Sequence, residues 1–144
     1  GARWLVDRYL RPQPRLGLAP HLLSFATAAM DVSDGLIKDC GRLARASGLG
    51  ATIDATRLPL SDPARTALRH QPGLFEVLIA GGDDYEVLAA VAPNRAEGFR
   101  AAAAESGVAV AEIGRIVDGK GVDVTGTDGR PFEVRRTGWD HFPA

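Results

Sequence analysis

The chain has 144 residues, 45% of them hydrophobic and 24% charged, a length and balance that suit one globular domain with a proper core and exclude a disordered chain. A net charge of -1 argues against nucleic acid or an anionic membrane as the main partner, and the 17 basic residues include only two lysines, Lys38 and Lys120, a bias that builds no basic patch. The single cysteine, Cys40, rules out an internal disulfide framework and cysteine-rich zinc sites, and no apolar run reaches membrane-spanning length, so a reducing cytoplasm is the expected setting.

The chain opens at Gly1 without a methionine and runs straight into "RWLVDRYL", where Trp4, Leu5 and Tyr9 stand at helical spacing; the start reads as a cut within a longer protein. "RPQPRLGLAP" (11 to 20), with Pro12, Pro14 and Pro20, reads as a linker or extended arm. Residues 25 to 32 read as a short buried strand. From Ser33 the period becomes helical, with Leu36, Ile37, Cys40, Leu43, Ala44 and Ser47 on one face and Lys38, Asp39, Arg42 and Arg45 on the other. Ser33 or Asp34 is placed to cap this helix and Gly48 to end it. "GATID" (50 to 54) follows as a strand, and "LPLSDPARTALRH" carries the start signals of a second helix, with Ser61 or Asp62 as its cap and Pro63 in its first turn.

"FEVLIA" is apolar and ambiguous between helix and strand, and it leads into "GGDDYEVLAAV", whose end is strand-like. "PNRAEGFRAAAAESG" is a third helix closed by Gly107, and "VAVAEIGRIV", "GVDV" and "FEVRR" read as strands separated by Gly and Asp turns. Helices and strands mix without strict alternation, which favours an α+β sheet over a doubly wound one.

Two short stretches can carry chemistry. "DVSDG" puts Asp31, Ser33 and Asp34 where a strand turns into a helix, at unpaired amides and the positive end of a helix dipole. Phosphate can dock on such amides, and carboxylates are hard oxygen ligands of the kind magnesium takes, so the stretch suits a magnesium nucleotide. The competing reading is a plain helix cap with Asp31 as a turn residue. "GGDDYE" adds Gly81, Gly82, Asp83, Asp84 and Glu86; it is either a tight turn with solvated acids or the second half of a shared metal or polar-ligand site. "GRIVDGKG" nearly spells a phosphate-binding loop, but Gly121 stands where Ser or Thr would hold magnesium and a strand-like "VDV" follows, so it reads as a hairpin turn. Cys40 falls on an apolar helix face, and His21, His70 and His141 lack the spacing of a zinc site. Trp139, in "TGWDHF", can stack on a heterocycle or pack against the domain.

Taken together, "AAMDVSDGLIKDCGRLARASGLGATID", "LPLS", "GGDDYEVL" and "GWDHF" resemble the C-terminal domain of the thiamine-monophosphate kinases, from about "PRLGLAP" to the end. "DVSDGL" is shared more loosely by the wider aminoimidazole ribonucleotide synthetase superfamily. The resemblance implies a three-layer α/β/α fold on a mixed sheet, partly ferredoxin-like, over residues 21–144, with residues 1–20 as an N-terminal helix and Pro-rich arm. It implies ATP-dependent phosphorylation of thiamine monophosphate to thiamine diphosphate, with magnesium as cofactor, in a homodimer. By motif position, Asp31 and Asp34 resemble magnesium ligands, Ser33 an ATP contact, and Asp83 or Asp84 and Trp139 substrate contacts. The family's N-terminal domain has no counterpart here, so this chain alone is expected to be inactive. Two alternatives stand beside this reading: another ATP-dependent synthetase of the superfamily, and a non-catalytic small-molecule binding domain.

Overall fold

Helix α1 (Ala2–Leu10) forms where the N-terminal spacing places it, in a computed structural model that describes residues 1–83 and 85–134. Asp84 and Trp139 lie outside the described residues. The arm then departs from expectation: it is extended only briefly before a 3-10 turn (Leu16–Leu18) and a helix, α2 (Ala19–Phe25). Pro20 sits in the first turn of α2, where its missing N–H would have had no partner anyway.

The remaining elements are β1 (Ala26–Val32), α3 (Leu36–Arg45), β2 (Gly50–Asp54), α4 (Asp62–His70), α5 (Leu74–Ala80), β3 (Glu86–Val91), α6 (Ala96–Glu105), β4 (Gly114–Val117) and β5 (Val122–Thr125). Ser61 caps α4 as expected, its hydroxyl accepting the Ala64 N–H. The ambiguous "FEVLIA" is the helix α5. Of the stretch expected to be a C-terminal strand, residues 132–134 are irregular, and Pro131 makes only a single bridge to Thr125.

The strands fall into two small sheets, β1 antiparallel to β3, and a mixed sheet in the order β4-β2-β5. The expected hairpin across "GRIVDGKG" does not form. β4 runs antiparallel and β5 parallel to β2, so the two arms straddle β2 instead of pairing with each other. The connecting turn crosses the start of β2, where the Ala51 N–H donates to the Gly121 carbonyl at 2.9 Å. That the segment after the near-match is a strand removes the phosphate-loop reading, as its sequence predicts.

Two apolar clusters hold these layers. Ile37, Cys40 and Ala44 of α3 and Ile79 of α5 pack on Ala51, Ile53 and Val124 of the mixed sheet. Leu18, Phe99 and Ala103, joined by Leu22, Phe25, Val87 and Val91, seat α2 and α6 on β3. Each large side chain so buried contributes about 1.5–3 kcal/mol. Burial also pushes the Cys40 thiol up to about 11, so it stays protonated at neutral pH and serves as a core residue.

Candidate functional site: two acidic turns joined back to back

β1 ends at Val32, and residues 33–35 carry the chain into α3, whose N-cap is Gly35 with φ 119°. Neither Ser33 nor Asp34 caps the helix with its side chain. The cap comes from within: Asp39 reaches back so that its Oδ2 accepts the Ser33 N–H at 3.0 Å and the Asp34 N–H at 2.9 Å. Its Oδ1 accepts a third bond from Arg42 Nη1 at 2.8 Å. Asp39 is 0% exposed, which corrects its placement on a solvent-facing stripe. The polar face of the first helical turn looks onto the preceding backbone, not onto water, in the manner of a capping-box acid.

The second acidic turn leaves α5 at Ala80 and meets the first. The Asp83 N–H donates to the Ser33 carbonyl and the Tyr85 N–H to the Val32 carbonyl, both at 2.9 Å, continuing the β1–β3 ladder beyond its terminal pair Val32↔Glu86. Glycines permit the approach. A Cβ on Gly35 would stand 2.6 Å from the Ala80 carbonyl oxygen, and one on Gly82 would overlap the Ser33 carbonyl oxygen. Asp83 and Tyr85 are both in the left-handed region, φ 65° and 51°, costly for residues with a side chain and characteristic of sites held in place by their surroundings.

The structure therefore brings Ser33, Asp34 and Asp83 onto one pair of adjoining turns, while Asp31, expected on the first of them, is the penultimate residue of β1 and pairs with Val87. Asp83 is exposed, as is Asp31, which sits at the rim of an open cleft of about 410 Å³ between the Pro12–Arg15 arm, Leu22 of α2 and Tyr85. Asp34 is buried, its Oδ2 lying 2.6 Å from Arg42 Nη1 and 3.6 Å from Lys38 Nζ. Arg42 thus touches Asp34 and Asp39 together, and hydrogen bonding to Asp34 above all holds its guanidinium above the ordinary arginine value.

Among the described residues no group of three or more His, Cys, Asp or Glu is gathered to hold a metal unaided. Magnesium seldom asks for that, binding through one or two carboxylates while water and phosphate oxygens complete its octahedron. Asp31 and Asp34 suit such a partial set in kind.

Asp39, Arg42 and Glu86 are the residues whose roles sequence reasoning missed. Glu86 belongs to the second acidic stretch but faces the arm, where its Oε1 takes Arg8 Nη2 at 3.1 Å and Arg15 Nη2 at 2.5 Å while its Oε2 takes Arg15 Nε at 2.7 Å. Burial pushes the Glu86 carboxyl up, but the Arg15 bonds and charge, followed by those of Arg8, outweigh it and hold the group below its ordinary 4.5. A depressed folded value means that the clamp stabilises the fold fully above the unfolded value and is lost as pH falls through the folded one. Amide exchange across residues 2–10 should therefore rise as pH is taken well below 4.5, and Glu86→Gln should abolish that pH dependence, changing stability by about 1 kcal/mol or less because the pair is half exposed. An α1 equally protected at pH 3 and pH 6, after correction for intrinsic exchange, would dismiss the clamp.

Fold and site together define the class. The chain belongs to the family described as AIR synthase related protein, C-terminal domain, which it matches over residues 5–127. Within that class it is similar to thiamine-monophosphate kinases. The enzyme of Caulobacter vibrioides is 46% identical over 140 residues, covering 95% of this chain and 40% of that protein. Among solved structures, that of AaThiL complexed with AMPPCP and TMP aligns with TM-score 0.78 at 34% identity, over 97% of this chain and 41% of the other. Thiamine-monophosphate kinase from Stenotrophomonas maltophilia K279a gives TM-score 0.76 at 40% identity, over 86% and 38%. The chain spans about two fifths of the length of the curated relatives it matches. These likenesses bear out the α+β architecture of the aminoimidazole ribonucleotide synthetase C-terminal type. No described helix is long and apolar enough to cross a membrane.

Proposed function

We propose that this chain is the C-terminal part of a kinase that moves the terminal phosphoryl group of ATP onto thiamine monophosphate, and that its two joined acidic turns form one wall of the reaction site. The observation that carries the reading is that junction: main-chain hydrogen bonds from Asp83 to Ser33 and from Tyr85 to Val32 join the turn that bears Asp83 to the one that bears Asp34, in a chain similar to thiamine-monophosphate kinases. The AMPPCP in the AaThiL complex, an ATP analogue, supports ATP as phosphoryl donor, and the TMP beside it supports the acceptor.

Asp31 and Asp34 would hold magnesium, as carboxylate oxygens of the kind it takes. When bound, the metal neutralises charge on the transferred phosphoryl group. Ser33 would touch the nucleotide through its hydroxyl, since its N–H is engaged by Asp39. Asp83 or Asp84, with Trp139, would contact the acceptor and orient it in line, and main-chain bonding fixes the turn from which Asp83 projects. Further ligands would come from the portion of the relatives beyond the matched region, so the chain alone would not turn over and the complete protein would act as a homodimer.

The test is to assay the full-length protein for thiamine diphosphate formation from ATP and thiamine monophosphate, with and without magnesium. Asp34→Asn should lower turnover about tenfold or more, or ~1.4 kcal/mol of transition-state stabilisation. ATP consumption with a different acceptor only would move the chain to another synthetase of the class. Ligand binding indifferent to magnesium and to Asp34 would make it a binding domain.

A further inference from the structure

We propose that Asp39 is the positioning residue of this site: its buried carboxylate sets the place of both acidic turns and the direction of Asp34. This rests on the kinase reading above only where turnover is concerned; the geometry stands apart from it.

Three bonds converge on a side chain with no exposed surface. Oδ2 holds the amides of Ser33 and Asp34, and Oδ1 holds Arg42, so every bond partner of this carboxylate is a proton donor fixed in the protein. Such charge-assisted bonds are roughly twice as strong as neutral ones, and a buried carboxylate is costly to leave unpaired. From here two paths lead outward. Through the first, the Ser33 residue that Asp39 grips by its N–H accepts the Asp83 N–H on its own carbonyl, at 2.9 Å, so the second turn hangs from the first. Through the other, Arg42 Nη1 lies 2.8 Å from Asp39 Oδ1 and 2.6 Å from Asp34 Oδ2, tying Asp34 to the same buried anchor.

A consequence concerns the ligand. The Ser33 and Asp34 amides, which an anion at this turn would otherwise seek, already serve an internal anion. A nucleotide phosphate held here is therefore bound by hydroxyl, cation or metal, and not by these two N–H groups.

Asp39→Asn keeps the shape but sets an NH2 where either the two amides or Arg42 must donate, so at least one bond becomes a clash of donors. In the full-length protein, NMR should show the Ser33 and Asp34 amides exchanging about tenfold or more faster in Asp39→Asn, while β2 amides keep their protection. Half-saturating magnesium for turnover should rise about tenfold. Arg42→Gln leaves Asp39 and its amide bonds in place and cuts the link from Asp39 to Asp34, so it should reproduce the magnesium effect without the exchange effect. Unchanged exchange in Asp39→Asn overturns the anchor. Faster exchange with unchanged magnesium dependence overturns its positioning role. If Asp39→Asn does not fold, Arg42→Gln decides, and unaltered magnesium dependence there overturns the path to Asp34. A wild-type protein without kinase activity would remove the proposed function, while the exchange measurement still judges Asp39.

Discussion

Gly82→Ala is expected to destabilise the protein by about 3 kcal/mol, at the upper end of what overpacking costs. The added methyl would overlap the Ser33 carbonyl oxygen and stand 3.2 Å from its carbon and 3.3 Å from the Asp34 Cα, all of them backbone atoms. No side-chain rotation can relieve that. The chain must move one turn off the other, which breaks the 2.9 Å bond from the Asp83 N–H and with it the juxtaposition of the acids. In urea, where small proteins have slopes of about 1–3 kcal/mol per molar, the midpoint should fall by roughly 1 M or more. Gly41→Ala is the control. Its nearest neighbour is a Val122 methyl at 3.4 Å, and within α3 alanine gains up to about 1 kcal/mol of helix propensity over glycine. Equal midpoints for Gly82→Ala and wild type would mean that the turns are not packed as described.

The second large effect is expected at Ile79, among the described residues the largest apolar side chain with under 2% exposure. It anchors α5 against Ile37, Cys40 and Ala44 of α3. Ile79→Ala should cost about 3 kcal/mol, the removed methyls plus the cavity they leave. Because α5 runs directly into Gly81 and Gly82, the loss should couple to the turn. The double variant with Gly82→Ala should therefore be less destabilised than the sum of the two, as expected for neighbours that share a backbone shift. Strict additivity would show that helix and turn are energetically separate, and a cost under about 1 kcal/mol for Ile79→Ala would show that the core can close over the gap.

Much of this was legible in the chain. α3, α4 and α6 were visible from their period and punctuation, and "GATID" from its flanks; Gly48 and Gly107 do take left-handed φ, 72° and 71°. The gathering of the two acidic turns was foreseeable from acids beside glycines, because only glycine lets two main chains come so close. α2 was hidden by prolines that mark an arm but are tolerated in a helix's first turn. α5 was hidden because a six-residue apolar run has no period to read. Asp39 misled because helical periodicity sorts residues around an axis and takes no account of what lies beyond the helix end. The signal was present in an acid one turn into the helix, placed to reach back, as a capping-box glutamate does. Glu86 and its arginines lie 71 and 78 residues apart in sequence, beyond the range of any local pattern.

The straddling of β2 by β4 and β5 also orders events in time. β2 is finished at Asp54, but both strands that flank it lie beyond residue 113. At ~5–20 residues per second, a ribosome needs roughly 4–14 s to travel from the end of β2 to the end of β5. Over that interval β2 carries two bare edges, and Ala51 and Ile53 await the strand that brings Val124 to them. The domain is thus committed to folding late in its synthesis, and a nascent chain arrested near residue 110 should be a client of chaperones.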